Sequence, residues 1–248
     1  MSSDIFLMKL INMRKGDYHM STPGLRIYKD FKRPDRSLVE AFRDIPVANI
    51  SDCMGRLFCM HSSIKPAGKC KKILGTALTV KGAIADNLLF NYAISLAQPG
   101  DVIVVNACGD LNHSVCGDLM YQYAVSRNVA GFVVDGCCRD VDYLNTHDFP
   151  VYSKGVTPRG PYKNGFGEIN TYISCGDQVV RPGDIIIGDE DGVLVVRPED
   201  AEELLKKAMG VVEREAKFDQ IIHDGEWENS PGFNMIKTNI EKCGFEII

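Results

Sequence analysis

The chain has 248 residues with 28 basic and 33 acidic side chains, a formal net charge of -5. Apolar residues at 45% and charged residues at 25% fit a globular chain long enough to bury a sizeable core, and exclude a disordered or collagen-like one. The acidic balance argues against nucleic acid as a partner, and no run approaches the roughly 18 to 20 apolar residues of a membrane span.

Residues 1–36 are mixed and charged, with Arg14, Lys15, Lys29, Lys32 and Arg33, and read as an N-terminal extension. Their one apolar piece, Ile5 to Ile11, is interrupted by Lys9 and lacks the features of a signal peptide, so a cytoplasmic location is expected. Ser37 to Arg43 has helical spacing, with Ser37 as N-cap and Glu40 completing a capping box. A second helix is expected from Asn49 or Ser51, carrying Asp52, Met54 and Arg56. Gly75 to Val80 reads as a strand, Asp86 to Leu96 as a helix and Val102 to Val105 as a wholly apolar strand. Helix Asp118 to Arg127, strand Gly131 to Val134, a short helix from Asp140 and strand Val151–Tyr152 follow. This alternation predicts an α/β fold around a buried parallel sheet.

After Lys154 the texture changes. Gly155, Pro158, Gly160, Pro161, Gly165 and Gly167 make a long loop of the kind that is usually functional or interface-forming. Short β-runs return at Ile169 to Ile173, Ile185 to Ile187 and Val193 to Val196, with turns at Pro182–Asp184 and Asp189–Gly192 that signal antiparallel hairpins. Pro198 is placed to start a final helix running to about Gln220. One α/β domain over 37–220 and a tail over 221–248 are therefore expected.

Two short stretches concentrate the chemistry. Asp118 begins a helix directly after a loop, so the amides of Leu119 and Met120 are expected to be open to an anion such as a carboxylate. Twenty residues separate Asp118 from Arg139 and Asp140, which follow strand Gly131 to Val134 at the carboxyl end of the sheet, where ligands bind in open α/β folds. Two carboxylates, one guanidinium and open amides would suit a hard cation such as Mg²⁺. The arginine would neutralise a developing oxyanion. Spacing alone equally allows both aspartates to be helix caps and Arg139 a surface ion-pair partner.

The remaining candidates read more plainly. Nine cysteines without a CxxC pair suit neither a disulfide framework nor a zinc site and are expected to be small buried hydrophobes. His61, His113 and His223 are isolated, with His113, four residues before Gly117, read as a loop histidine ahead of a catalytic one. Lys163 reads as a solvated lysine ahead of a contact to a substrate carboxylate, and Asp189 to Gly192 as an acidic turn favoured for backbone reasons ahead of a cation site. Trp227, in the tail, is expected to pack on a neighbouring subunit.

The pattern Gly117-Asp118, twenty residues, Arg139-Asp140 resembles the defining motif of the RraA-like superfamily, in its 4-hydroxy-4-methyl-2-oxoglutarate aldolase branch. The likeness extends to Ile50–Arg56, Asp101–Val105, Gly131–Asp140, the glycine-rich stretch Pro158–Asn170 and Pro182–Val196, covering roughly residues 45–217. It implies an RraA-like swivelling β/β/α domain with a central mixed sheet, flanked by N- and C-terminal extensions. It further implies a pyruvate aldolase dependent on Mg²⁺, Mn²⁺ or another divalent cation, with oxaloacetate decarboxylase side activity, built as a homotrimer or homohexamer with active sites between subunits. By position, the resemblance makes Asp140 the metal ligand and Arg139 the contact to the pyruvate-derived oxygen. Gly117, Asp118, Leu119 and Met120 line the substrate, with Asp118 holding metal-bound water. Asp52 and Glu215 match acids that a neighbouring subunit contributes, Asp52 being shorter than the glutamate of the aldolases. The alternative within the superfamily is a non-catalytic RraA-type regulator that binds a ribonuclease. A methyltransferase is disfavoured, because no G-x-G loop follows a strand.

Overall fold

A computed structural model describes residues 22–246. In chain order the elements are β1 (Leu25–Ile27), α1 (Arg36–Glu40), α2 (Val47–Cys53), β2 (Lys65–Pro66), β3 (Ile73–Gly82), α3 (Leu88–Leu96), β4 (Asp101–Cys116), α4 (Asp118–Ser126) and β5 (Gly131–Cys138). There follow α5 (Val141–Thr146), β6 (Val151–Val156), β7 (Gly167–Ile169), β8 (Ile173–Cys175), β9 (Gln178–Val180), β10 (Ile185–Asp189), β11 (Gly192–Val196), α6 (Ala201–His223) and α7 (Pro231–Lys242).

The expected parallel sheet is present. Strands β3, β4, β5 and β6 pair in parallel and in that order. The β10–β11 hairpin, antiparallel as anticipated, adds to the first half of β3, while β7 pairs antiparallel with its second half. The central sheet is thus mixed. Its strands read as near-continuous apolar runs because both faces are covered. On one face Leu78, Val80, Ile103, Phe132 and Val134 pack against Phe90 and Ile94 of α3 and Tyr121 and Ala124 of α4. On the other, Ala77, Val102, Val104 and Val133 meet Ile173, Val180, Ile186 and Val195. The outer face of the hairpin, through Ile185, Ile187 and Leu194, carries α1, α2 and the start of α6 by way of Phe42, Ile50 and Leu204.

Several boundaries differ from the expectation. Ser37 is not the cap of α1: Asp35 occupies that position and no side chain bonds the helix end. The second helix starts at Val47, after Pro46. Strand β4 continues far past Val105, its polar second half meeting β5 through repeated register shifts. The run Ile169 to Ile173 is split between β7 and β8. Pro198 opens a 3-10 turn before α6, which reaches His223, and α7 was not anticipated. The tail also packs within its own chain. Trp227 sits edge-to-face on Phe218 at 5.6 Å and faces Phe233 at 6.5 Å, so it needs no neighbouring subunit to find a partner.

Candidate active site at the ends of two parallel strands

Strands β4 and β5 end side by side, with Cys116 registered on Cys138. The chain leaves both strands at the same sheet edge, which brings Gly117–Asp118 and Arg139–Asp140 together. The Arg139 amide donates to the Cys116 carbonyl at 3.1 Å. Asp140 then adopts the left-handed conformation (φ 58, ψ 47). That backbone is uncommon outside glycine, asparagine and aspartate and persists where the surroundings over-determine it.

The reason lies across the gap. The Asp118 amide, at the start of α4, donates to Oδ2 of Asp140 at 3.0 Å. Asp140 therefore caps the helix of the preceding unit, a carboxylate at the positive end of the helix dipole. The same oxygen lies 3.4 Å from Nε of Arg139. Gly117 makes this approach possible: a Cβ there would stand 2.3 Å from Asp140 Oδ2 and 3.0 Å from Arg139 Nε. Both side chains stay partly open to solvent, at 42% for Arg139 and 38% for Asp140.

The amides expected to be open are not. The Leu119 amide donates to Oδ1 of Asp118 at 2.7 Å and the Met120 amide to the Gly117 carbonyl at 3.0 Å. Met120 turns into the core, whereas the Leu119 side chain is exposed. Neither aspartate caps its own helix through its side chain; the Asp140 carboxylate instead serves the start of α4, which is what draws the two motifs together.

The glycine-rich loop forms the opposite wall. Both the amide and the hydroxyl of Ser114 donate to the Arg159 carbonyl, at 2.8 and 2.9 Å. Asp86 accepts from the Leu88 amide and from the Asn164 amide, at 2.9 and 2.6 Å. These bonds bring Gly160 against Arg139, where a Cβ would come within 3.1 Å of Nη1. The guanidinium is therefore held between two glycines. Gly160 belongs to the loop its glycines single out in the sequence, but its place against Arg139, like the bond from Asp86 to the loop, depends on partners far along the chain.

Asp52 and Glu215 lie in another layer. Asp52, on α2, pairs with Arg56 at 2.9 Å, and Glu215, on α6, accepts from Asn49 Nδ2 at 2.6 Å. Both helices pack on the outer face of the hairpin, so one chain does not bring these acids to the Arg139–Asp140 turn. Among the described residues no group of three or more His, Cys, Asp or Glu side chains gathers to hold a metal ion. Two carboxylates with unused oxygens still fit Mg²⁺, which keeps several waters and takes one or two protein carboxylates.

Other candidates resolve structurally. Asp189 accepts from the Val47 and Asp191 amides, as a turn residue does. His113 pairs with Asp110 at 2.8 Å, and the Asn112 amide together with that histidine holds the Asp110 carboxyl below its ordinary value. Cys116, Cys137, Cys138 and Cys175 are buried as expected, and burial raises their thiols. Cys108 and Cys243 are exposed instead. A concavity of about 550 Å³ lined by Arg33, Tyr172, Arg181 and Glu199 lies away from the turn. Its arginines are already committed to Asp101, Asp184 and Glu199, and the Arg139–Asp140 turn is not part of its lining. No described helix is long and apolar enough to cross a membrane.

The sequence profile of the RraA-like family, described as Aldolase/RraA, matches residues 47–195. A protein of Halalkalibacterium halodurans provisionally named 4-hydroxy-4-methyl-2-oxoglutarate aldolase is 42% identical over 170 residues, 68% of this chain and 81% of that protein. An Arabidopsis thaliana protein under the same provisional name, numbered 3, is 31% identical over 145 residues, 58% of this chain and 87% of the other. Among solved structures, Streptomyces coelicolor RraAS2, described as an unusual member of the RNase ES inhibitor RraA protein family, superposes with a TM-score of 0.67 at 26% identity. That match covers 77% of this chain and 100% of RraAS2.

Proposed function

This chain belongs to the RraA-like, Aldolase/RraA family, and from that membership we propose that it is a lyase dependent on a divalent cation. It cleaves a 4-hydroxy-2-oxo acid, such as 4-hydroxy-4-methyl-2-oxoglutarate, to pyruvate and a second carbonyl acid, and it decarboxylates oxaloacetate. The observation that carries the reading is the Arg139–Asp140 turn, seated on the first turn of α4 with the Arg139 guanidinium beside the Asp140 carboxylate and the Asp118 amide bonded to that carboxylate.

Asp140 would hold Mg²⁺ or Mn²⁺. Its Oδ2 is engaged by the Asp118 amide, which leaves Oδ1 for the cation. When bound, the cation withdraws electron density from the 2-oxo group of the substrate. Arg139, fixed between Gly117 and Gly160, donates to the keto oxygen and neutralises the charge that develops there as the C3–C4 bond breaks. Asp118 spends Oδ1 on the Leu119 amide, and its other oxygen holds the water that takes the 4-hydroxyl proton and returns a proton to C3, which completes pyruvate. Gly117 and Leu119 shape the adjoining wall, with Met120 behind them in the core. In oxaloacetate the departing fragment is CO₂, and the same charge reaches the same oxygen.

Asp52 and Glu215 complete the site from a neighbouring subunit, in a homotrimer or homohexamer working in the cytoplasm. The alternative, a non-catalytic RraA-type regulator of ribonuclease activity, draws support from the likeness to RraAS2. The carboxylate at Asp140, a group able to hold a cation, favours the enzyme. The deciding experiment measures pyruvate release from oxaloacetate and a panel of 4-hydroxy-2-oxo acids, with Mg²⁺ or Mn²⁺ and with EDTA. Release that EDTA abolishes and metal restores is expected. No release from any member, alongside stoichiometric inhibition of a ribonuclease, would favour the regulator.

A further inference from the structure

Tyr121 is fully buried on α4, one turn beyond Asp118. Its ring is wedged among Phe132 at 6.1 Å, Tyr143 at 5.9 Å and Phe149 at 6.0 Å. Its hydroxyl donates to the Arg139 carbonyl at 2.8 Å. That carbonyl belongs to the peptide joining Arg139 to Asp140, so its direction governs whether Asp140 stays in the left-handed region (φ 58).

Three hydrogen bonds therefore tie two segments into a closed loop: Arg139 amide to Cys116 carbonyl, Asp118 amide to Asp140 Oδ2, and Tyr121 hydroxyl to Arg139 carbonyl. The first is the end of the strand ladder. The second is made by an exposed carboxylate that must also serve the cation. Only the third comes from a rigid buried side chain. Burial raises the pKa of the hydroxyl, so it remains a donor across the working pH range.

We propose that Tyr121 is a positioning residue: it locks the Arg139–Asp140 peptide against α4 and so aims the carboxylate at the cation and the guanidinium at the substrate. This rests on the lyase reading for its consequence, but not for its geometry. Without the hydroxyl the carbonyl loses its partner, the peptide is free to rotate, and Asp140 can relax out of its left-handed backbone. Loss of such a supporting hydrogen bond typically lowers metal affinity or activity roughly 10- to 100-fold.

The test compares Tyr121→Phe, which keeps the ring, with Phe132→Leu, which loosens the ring cluster but keeps the hydroxyl. Three quantities are read: hydrogen exchange at the Asp118 amide in metal-free protein, the Mn²⁺ dissociation constant, and kcat and KM for oxaloacetate. Tyr121→Phe should speed exchange at Asp118, weaken Mn²⁺ binding and lower kcat roughly 10- to 100-fold, with KM changing less. Phe132→Leu should lower the melting temperature and leave the Mn²⁺ constant and the Asp118 exchange rate near wild type. If Tyr121→Phe lowers only the melting temperature, the lock is refuted. If the wild-type protein neither binds Mn²⁺ nor releases pyruvate, the lyase reading falls. Asp118 exchange in Tyr121→Phe then decides on the lock by itself.

Discussion

Replacing Gly117 by alanine isolates the geometry of the site from its chemistry. Gly117 has φ -160, extended backbone that alanine adopts freely, so the substitution acts by sterics alone. The new Cβ would stand 2.3 Å from Asp140 Oδ2, where ordinary contact begins at 3.4 Å, so the carboxylate must retreat by about 1 Å. The retreat breaks the cap on α4 and moves Arg139, whose Nε is 3.0 Å from the same point. The Asp140 side chain is 38% exposed, so solvent compensates much of the lost hydrogen bond. The stability cost should be about 1 kcal/mol, a fall in Tm of roughly 2–4 °C. Catalysis should suffer far more, because a misplacement of about 1 Å can cost about 10²-fold. Thermal melts and kcat for pyruvate release from oxaloacetate measure both effects. A variant with wild-type kcat would refute the claim that the position of the Asp140 carboxylate governs turnover.

Other outcomes follow from the same contacts. Gly160→Ala meets only the tip of Arg139, at 3.1 Å, and a long side chain can yield, so kcat should fall less than in Gly117→Ala with Tm unchanged. Iodoacetamide at neutral pH should label Cys108 and Cys243 and spare the buried Cys116, Cys137, Cys138 and Cys175, leaving activity intact by mass spectrometry and assay. Activity lost to alkylation but insensitive to EDTA would point to a thiol nucleophile instead. Burial raises the pKa of Cys116, Cys138, Cys175 and Tyr152, so the folded state holds these protons more tightly than the unfolded one. Their contribution is complete below the ordinary thiol value of 9.0 and is lost as pH rises above it. Tm should therefore be level near neutrality and fall beyond about pH 9.

What the sequence revealed depended on how local each signal was. The apolar runs at Val102–Val105 and Gly131–Val134 announced their strands because both faces of the sheet are covered. The second half of β4, Asn106 to Cys116, carried no such sign, since its pairing with β5 shifts register at Asn106, Asp110 and Ser114 and destroys the alternation a strand would display. The capping-box pattern at Ser37 and Glu40 was present, but the turn of chain after Pro34 begins the helix earlier, at Asp35. Helix α7 has a sound local start, Ser230 accepting from the Phe233 amide at 3.1 Å. It buries no residue, although Phe233, Ile236 and Ile240 stand at helical spacing along it, so its apolar side was legible and only its exposure was not.

The site divides the same way. Arg139–Asp140 was legible because it follows the apolar strand Gly131–Val134, and Gly117–Asp118 because it opens a helix. That the stretch before Gly117 is the end of β4, with Cys116 registered on Cys138, was visible only in the fold. The amides of Leu119 and Met120 looked free because their acceptors, Asp118 Oδ1 and the Gly117 carbonyl, are invisible to spacing arguments. Tyr121 read as one more core aromatic on an amphipathic helix. Only the fold reveals that its hydroxyl ends on Arg139.

The most direct test of the central claim is turnover of Asp140→Ala and Arg139→Ala across a Mg²⁺ titration. Asp140→Ala removes a charge that would hold the cation, so its kcat/KM should recover in part as Mg²⁺ rises. Arg139→Ala leaves that carboxylate in place but removes the donor to the keto oxygen. Its kcat should stay about 10²- to 10³-fold low at every Mg²⁺ concentration, and Arg139→Lys should regain little because an ammonium lacks the planar fork. Equal rescue of both alanine variants by Mg²⁺, or full activity in either without it, would contradict the assignment of cation to Asp140 and oxyanion to Arg139.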